Sequence, residues 1–461
     1  MKIRKMICAA MIMAMTVGMS ACAVGGESAA SVTGGEGFSA EITNGSDSAD
    51  TIPDTTPRSE EKTAGDDRAE VRDKSAAEKF SEDAEIKEKK DVIIASDTLD
   101  TGETICAGDE ASGIDSSQGN HTDIPEVGQL TAGEWNDNSN WGFFTNLINT
   151  GTINFPSYGL NPVYRTMITV KSESGLPVVN ATVRILDSDG NILWSAITDK
   201  NGTAYLFEGE KQKGASVEVE SGDKKQSFEL TQTSADTQSQ KKTENTELEL
   251  TFVGEVKNCQ NMEIMFILDT TGSMSDEMLF LQSEFSAITK EIGTENTKYS
   301  VNFYRDEGDD YVTKCFDFTD DIDALQKNLN SESADGGGDI PEAVAEILKE
   351  TISESSWSDE SVKLAFLIFD APPHDGKEKV LYDTIRTAAE KGIRIIPVVS
   401  SNSERDTELF GRSLAIMTGG TYIFLTDDSG IGDAHLEPII GDYKVEKLYD
   451  IIIRVINEYR Q

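Results

Sequence analysis

The stretch Ile264-Met265-Phe266-Ile267-Leu268-Asp269-Thr270-Thr271-Gly272-Ser273-Met274-Ser275 decides the fold of this chain. Its first five residues are apolar, which is typical of a short strand buried on both faces. One carboxylate and two hydroxyls then alternate at Asp269, Thr271 and Ser273, and an amphipathic segment follows. Side chains at alternate positions can point the same way from an extended or turning loop. Hard oxygen ligands grouped in this way suit Mg²⁺ or a similar cation.

Downstream of this stretch, apolar runs alternate with amphipathic segments. Apolar residues three or four positions apart predict helices, and helices between continuous apolar strands indicate a doubly wound, mostly parallel α/β sheet. The apolar face of the last predicted helix consists of Val445, Leu448, Ile452, Val455 and Ile456. The predicted strands are 264–268, 299–304, 364–369, 393–399 and 422–425.

Three of the predicted strands are followed by an aspartate, at Asp269, Asp306 and Asp370. In a parallel sheet the carboxyl ends of the strands meet at one edge, and ligands of open α/β folds bind there. One such aspartate alone would be a helix cap or a turn former. Several unpaired carboxylates at one edge would repel one another and raise some of their pKa values, and a divalent cation removes that repulsion. The pattern therefore predicts a metal site.

The order Asp269-x-Thr271-x-Ser273 resembles the metal-ion-dependent adhesion site of the von Willebrand factor type A (VWA) fold, whose signature is Asp-x-Ser-x-Ser. The resemblance implies a Rossmann-like domain with a short antiparallel edge strand, here at 312–319. It implies that Thr271 and Ser273 bind the cation through their hydroxyls, and that Asp269 and Asp370 act directly or through water. Mg²⁺ is the expected metal, with Mn²⁺ and Ca²⁺ as alternatives.

The chain departs from this family in the glycine-rich loop 334–342. The family places a threonine ligand after a pair of glycines, whereas Gly338 stands at that position here and Asp339 follows it. One interpretation is that Asp339, or water, supplies the missing metal ligand. The other is that Asp339 caps a helix whose first turn contains Pro341. The predicted metal set therefore includes Asp339 together with the four residues named above.

Composition excludes several classes of function. The 461 residues include 41 Lys and Arg against 83 Asp and Glu, a net charge of −42. Such acidity argues against nucleic-acid binding and against basic adhesion to anionic lipid. The sequence contains no phosphate loop, nucleophile elbow or zinc motif, and only three histidines for acid–base chemistry. Phosphotransferases with a nucleophilic aspartate need a second Asp where Thr271 stands. We therefore expect a protein that is not an enzyme.

Residues 1–22 are predicted to be a targeting segment. Lys2, Arg4 and Lys5 form a basic start, and the apolar stretch 6–19 is too short to span a bilayer comfortably. The segment ends at Cys22 and resembles a bacterial lipoprotein signal, which implies a lipid-modified Cys22. An ordinary secretory signal is the alternative. The prediction is a protein secreted across the cytoplasmic membrane and lipid-anchored in the cell envelope.

Three segments follow the signal. Residues 23–127 are polar and acidic, which predicts a disordered tether. Residues 128–254 are predicted to be an aromatic linker followed by a small antiparallel β-sandwich, which at 175–181 resembles the carboxypeptidase regulatory-like domain. The linker aromatics either pack onto the next domain or form a binding loop. The VWA domain is predicted to occupy 255–461.

The remaining cysteines and histidines carry weaker predictions. Cys315 is expected to be a buried thiol in a strand-like run. His374 lies in a loop at the predicted metal edge, where it is a ligand, a pH-sensitive contact or a solvent-exposed residue. Neither His121 nor His435 has a pattern of carboxylates or cysteines around it.

By resemblance, the chain is predicted to be a surface-anchored, metal-dependent protein-binding module for adhesion or assembly. In this interpretation a carboxylate from a partner protein fills the open coordination position of the metal. A structural cell-envelope protein with a vestigial or merely stabilising metal site is the alternative. A metal-dependent hydrolase is a third hypothesis.

Overall fold

A computed structural model describes residues 125–209, 213–230, 244–254, 259–338 and 340–460. The predicted signal with Cys22, almost all of the predicted tether, and the residues Cys106, His121 and Asp339 lie outside these ranges. Among the helices of the described ranges, none is both long enough and apolar enough to cross a membrane.

The strands and helices are numbered in chain order. The strands of the described residues are β1 (Thr131–Trp135), β2 (Tyr164–Ser172), β3 (Thr182–Leu186), β4 (Ile192–Ile197), β5 (Thr203–Phe207), β6 (Ser216–Ser221), β7 (Lys224–Glu229), β8 (Glu244–Phe252), β9 (Asn261–Asp269), β10 (Thr297–Tyr304), β11 (Thr313–Lys314), β12 (Ser361–Phe369), β13 (Ile393–Val399), β14 (Tyr422–Leu425) and β15 (Glu446–Lys447). The helices are α1 (Trp141–Thr150), α2 (Met278–Ile292), α3 (Ile322–Asn330), α4 (Val344–Leu348), α5 (Glu378–Lys391), α6 (Arg405–Thr418) and α7 (Leu448–Tyr459).

An eight-stranded sheet forms the centre of the larger domain. Its order is β11-β10-β9-β12-β13-β14-β1-β15. The strands β10, β9, β12, β13 and β14 run parallel, whereas β11, β1 and β15 are antiparallel to their partners. The predicted doubly wound, mostly parallel sheet is confirmed, and each of the five predicted runs forms a strand of it.

The central strand β9 is apolar from Ile264 to Leu268, where both faces of the sheet are covered. Ile264, Phe266 and Leu268 pack in a core with α2 and α7. Met265 and Ile267 point to the opposite face and pack in a core with α4, α5 and α6. Successive side chains of a strand point to opposite faces, so burial on both faces removes the polar half of the usual alternation.

The first described strand, β1, is a member of the large sheet, where it pairs with β14 and β15. The sequence analysis had grouped this segment with the β-sandwich. Trp135, Trp141 and Phe144 are buried, which supports packing rather than a binding loop for these aromatic residues. Phe143 alone of the four is exposed. The sandwich is therefore inserted between β1 and β9 of the large sheet.

The inserted domain consists of two small sheets with the orders β5-β2-β8 and β4-β3-β6-β7. All pairings are antiparallel except β2 with β8. Gly190, between β3 and β4, and Gly202, between β4 and β5, have positive φ angles of 84° and 73°, which glycine adopts readily in tight turns. Trp194 is buried and contacts Tyr382 of α5, so the sandwich packs against the larger domain. The resemblance to the carboxypeptidase regulatory-like domain stays a prediction.

One expectation about helices is wrong, and one of two alternatives for Asp339 is excluded. Helix α7 begins at Leu448, and Val445 precedes it with 38% of its surface exposed, so Val445 is not part of the apolar face. Helix α4 begins at Val344 with Ala343 at its N-cap position, which excludes Asp339 as its cap and places Pro341 before its first turn. At α7 the apolar spacing continued past the true helix start, whereas at α4 the proline precedes the helix instead of opening it.

The edge strand and its cysteine also differ from expectation. Only Thr313–Lys314 forms regular pairs with β10, and Thr319 adds an isolated bridge with Tyr299. The strand is therefore shorter than the predicted 312–319. Cys315 is exposed rather than buried, and its thiol donates to Glu350 Oε2 at 3.3 Å.

Candidate metal centre

The carboxyl ends of three parallel strands lie side by side at one edge of the large sheet. In the register of the sheet, Asp269 at the end of β9 pairs with Tyr304 at the end of β10, and Leu268 pairs with Ile368 of β12. Asp269, Asp306 and Asp370 are consequently brought to the same edge, and all three are at most 7% exposed. The expectation of three aspartates at one edge agrees with their placement.

The loop after β9 orients the carboxylate of Asp269. The backbone N–H and the hydroxyl of Thr271 both donate to Asp269 Oδ1, at 2.9 and 2.6 Å. The oxygens of Thr271 and Ser273 are 3.1 Å apart. The other carboxylate oxygen, Asp269 Oδ2, is buried and has no hydrogen bond of normal geometry, although the hydroxyl of Tyr304 lies near this carboxylate. Two hydroxyls and a free carboxylate oxygen are therefore held next to each other.

Asp370 lies directly after β12 and faces the same space. Its Oδ1 is also buried without a hydrogen-bond partner. Burial raises the pKa of both Asp269 and Asp370, and repulsion from neighbouring carboxylates adds to it, Asp306 acting on Asp269 and Asp269 acting on Asp370. Raised carboxylate pKa values arise where acidic groups are crowded together and removed from water. Such crowding is typical of functional sites, and a bound cation would relieve it.

Glu342 is a further carboxylate at this edge, and the sequence analysis did not single it out. It is 3% exposed, and its Oε2 has no hydrogen-bond partner. Burial, followed by the charges of Asp269, Asp306, Asp370 and Asp309, raises its pKa to about 9. The sequence did offer one signal for Glu342, because it is an acidic residue three positions after Asp339 in the loop that lacks the expected threonine.

Other charged groups at the edge have partners of their own. His374 Nε2 lies 2.6 Å from Asp306 Oδ1, so His374 is neither a free ligand nor fully exposed. Asp309 Oδ2 accepts hydrogen bonds from the backbone N–H groups of Asp306 and Gly337, at 3.0 and 2.8 Å. These contacts hold the edge loops together.

His435 contradicts the sequence analysis, which saw no carboxylates around it. Its Nε2 lies 3.0 Å from Glu277 Oε1, and its Nδ1 lies 2.8 Å from Asp427 Oδ1. Burial alone would lower the pKa of His435, but its bonds to Glu277 and Asp427 raise it overall. Glu277 is far away in the sequence, and Asp427 lies on the other side of a short turn, so local pattern did not reveal either.

A cavity of about 370 Å³ opens above this group of residues. Its described lining includes no Lys or Arg that could neutralise the carboxylates, and it consists of Thr271, Gly272, Ser273, Gly336, Gly337, Gly338, Ile340, Glu342, Asp370, Ala371 and Asn402. Within the described ranges, no three His, Cys, Asp or Glu side chains stand as a ready-made ligand set. The donors are instead carboxylates mixed with hydroxyls. Buried carboxylate oxygens without donors beside two hydroxyls fit a hard divalent cation.

Comparison with known proteins agrees with this architecture. Residues 263–430 match the family model described as the von Willebrand factor A domain. An ariadne-like RING finger protein of Acanthamoeba polyphaga mimivirus is 26% identical over 188 residues, which are 36% of this chain. The match spans only 18% of the viral protein's length.

Two solved structures are similar to part of the chain. The conserved hypothetical protein BatB from Bacteroides thetaiotaomicron has a TM-score of 0.33 and 14% identity, covering 43% of this chain and 98% of its own. An aerotolerance-related membrane protein from Bacteroides fragilis has a TM-score of 0.31 and 16% identity, covering 43% of this chain and 100% of its own.

Proposed function

From the premise that residues 263–430 form a von Willebrand factor A domain, we propose that this protein is a metal-dependent protein-binding module. It acts in adhesion or assembly rather than in catalysis. The cation is held by Asp269, Thr271, Ser273 and Asp370, and Mg²⁺ is the metal that the family resemblance favours. Asp339 remains a predicted ligand that lies outside the described residues.

The observation that carries the proposal is the pair of buried carboxylate oxygens without partners, Asp269 Oδ2 and Asp370 Oδ1. An ionised carboxylate removed from water is costly unless a donor or a cation compensates it. Thr271 already satisfies the other oxygen of Asp269, which fixes the direction of the free one. A divalent cation next to Thr271 and Ser273 would compensate both carboxylates at once.

The surroundings of the site suit a protein partner. The cavity is wide enough for one side chain, and Ile340 beside it is 55% exposed. A carboxylate from the partner would complete the coordination of the metal, and Ile340 would contact apolar surface around that carboxylate. The carboxylates and hydroxyls of the lining are assigned to the cation, and the described lining includes no His, Cys or Lys beside them. This favours binding over hydrolysis.

We further propose that a lipid on Cys22 anchors the protein in the cell envelope and that residues 23–127 hold the module away from the membrane. The support is the sequence of the signal and the polar, acidic composition of the tether. Replacing Cys22 with alanine tests the anchor, because the full-length protein should then move from the membrane fraction to the soluble fraction.

A capture experiment tests the binding function. Full-length wild type and Asp370→Asn are immobilised and exposed to envelope extract with Mg²⁺ or with chelator. We expect a protein retained by wild type in Mg²⁺, released by chelator and absent from the Asp370→Asn sample. Calorimetry with Mg²⁺ alone accompanies it, and a wild type that binds no Mg²⁺, Mn²⁺ or Ca²⁺ would exclude the proposal.

A further inference from the structure

We propose that Glu342 is an additional metal ligand, which takes the place of the threonine that the glycine-rich loop lacks. The inference rests on the proposed function, because it adds a ligand to the same site. Among the described residues, the ligands are then three carboxylates and two hydroxyls, instead of two of each.

The backbone places Glu342 beside the loop that carries Asp370. The N–H of Glu342 donates to Pro372 O at 3.0 Å, and the two segments form an isolated parallel bridge there. Pro372 lies two residues after Asp370. The backbone of Glu342 is therefore held in place by the segment that follows β12 and carries Asp370.

Gly337 leaves room for the carboxylate of Glu342 next to Thr271. A Cβ atom at Gly337 would lie 3.0 Å from Glu342 Oε1 and 3.1 Å from Thr271 Cβ. Any larger residue would therefore push against both the carboxylate and the hydroxyl-bearing side chain. Gly337 also has a φ of 67°, which non-glycine residues rarely adopt. The loop is built to let these two side chains approach each other.

The carboxylates at this edge of the sheet differ in whether their oxygens already have hydrogen-bond or ionic partners. Asp306 is engaged by His374, and Asp309 by two backbone N–H groups. Asp269, Asp370 and Glu342 each keep a buried oxygen without a partner. Glu277 and Glu346 also have such an oxygen, but they do not line the cavity, whereas Glu342 and Asp370 do.

The three carboxylates do not stand in ligating positions toward a single point. The three negative charges repel one another. A cation between them would offset this repulsion and draw the carboxylates together. Ca²⁺ sites accept several carboxylates, whereas Mg²⁺ usually keeps more water and fewer of them. Carboxylate oxygens also suit Mn²⁺. Mn²⁺ is therefore a suitable probe, since its bound waters can also be counted by the relaxation of water protons.

The experiment compares full-length wild type with Glu342→Gln and Asp306→Asn. Glutamine keeps the volume of Glu342 and removes its charge, and Asp306→Asn removes a nearby charge that has a partner. We expect Glu342→Gln to weaken Mn²⁺ binding on the order of 100-fold or more in calorimetry, and Asp306→Asn to weaken it by about tenfold, the low end of the range for outer-shell groups. Circular dichroism checks that both variants are folded.

A second variant separates ligation from long-range charge. In Glu342→Ala at saturating Mn²⁺, a water should replace the carboxylate, and proton relaxation should report one more bound water than in wild type. Equal losses of affinity in Glu342→Gln and Asp306→Asn, or an unchanged water count in Glu342→Ala, would overturn the role of Glu342. Wild type that fails to bind Mn²⁺ would instead overturn the metal site itself.

Discussion

Replacing Asp269 should remove the stabilisation of the folded protein by metal. Binding to the folded state alone contributes about 2.7 kcal/mol when the metal concentration is 100 times its dissociation constant. We therefore expect Mg²⁺ or Mn²⁺ to raise the Tm of the full-length protein, and Asp269→Asn to abolish the increase. Scanning calorimetry with and without chelator measures both. A variant that responds to metal as wild type does would remove Asp269 from the site.

Glu342 should make the stability of the protein in chelator depend on pH. Burial and the neighbouring carboxylates raise the pKa of Glu342 from 4.5 to about 9. Between these values the folded protein retains a proton that the unfolded chain has released, so folding is favoured at low pH and weakened as pH rises toward 9. We expect the Tm to fall from about pH 5 to about pH 9.

Glu342→Gln is the control for this pH dependence, because glutamine cannot titrate. The Tm of the variant should fall less steeply over the same range. Parallel curves for wild type and variant would contradict the raised pKa of Glu342.

The site residues differ in how far local sequence predicts them. Asp269, Thr271 and Ser273 lie within five positions, so the loop after one strand reveals all of them. Glu342 reaches the site only because its backbone pairs with Pro372, a contact between loops that no spacing encodes. The role of Asp339 stays a prediction, although the start of α4 removes its interpretation as a helix cap.

Among the elements, helix α7 gives the sharpest comparison. Ile452 is fully buried against α2 and β9, whereas Val445 lies outside the helix and is 38% exposed. Ile452→Asp places a charge in the core and should unfold the larger domain, while Val445→Asp should change stability by about 0.5 kcal/mol or less. Chemical denaturation followed by circular dichroism measures both. Similar losses in the two variants would mean that the helix start is misplaced.

The elements of the large sheet also show where sequence patterns suffice. The parallel strands are continuous apolar runs, so their composition predicts them without knowledge of their neighbours. Strand β1 mixes threonine, glycine and glutamate and has no such signature. It becomes a strand through pairing with β14 and β15, and pairing over so long a separation is not visible locally.

At the scale of the whole molecule, the inserted sandwich and the larger domain should resist proteolysis together. Arg165 of β2 is buried, lies over the ring of Trp141, and donates to the backbone and side-chain oxygens of Asn138. Asn138 in turn donates to Ile416 O of α6. Limited digestion of the full-length protein should therefore leave one fragment that begins near Pro125 and retains both domains.

Mass spectrometry of the resistant fragment identifies its first residue. Ser283 Oγ donates to Pro125 O, which ties the start of the fragment to α2. Prolonged resistance of residues 30–110 would show that the predicted tether is not disordered. Release of residues 160–254 as a separate stable piece would show that the contacts of Arg165 do not hold the domains together.

The placement of β1 affects the order of events during synthesis. Thr421 donates to the carbonyl of Trp135 across 286 residues of sequence. At ordinary translation rates, β1 would leave the ribosome about 15 to 60 seconds before β14 exists. Throughout that interval its backbone groups lack their eventual partners while the sandwich can already fold. Among the described strands of the large sheet, the first to be synthesised is thus among the last to be paired, and its edge is open to mispairing until then.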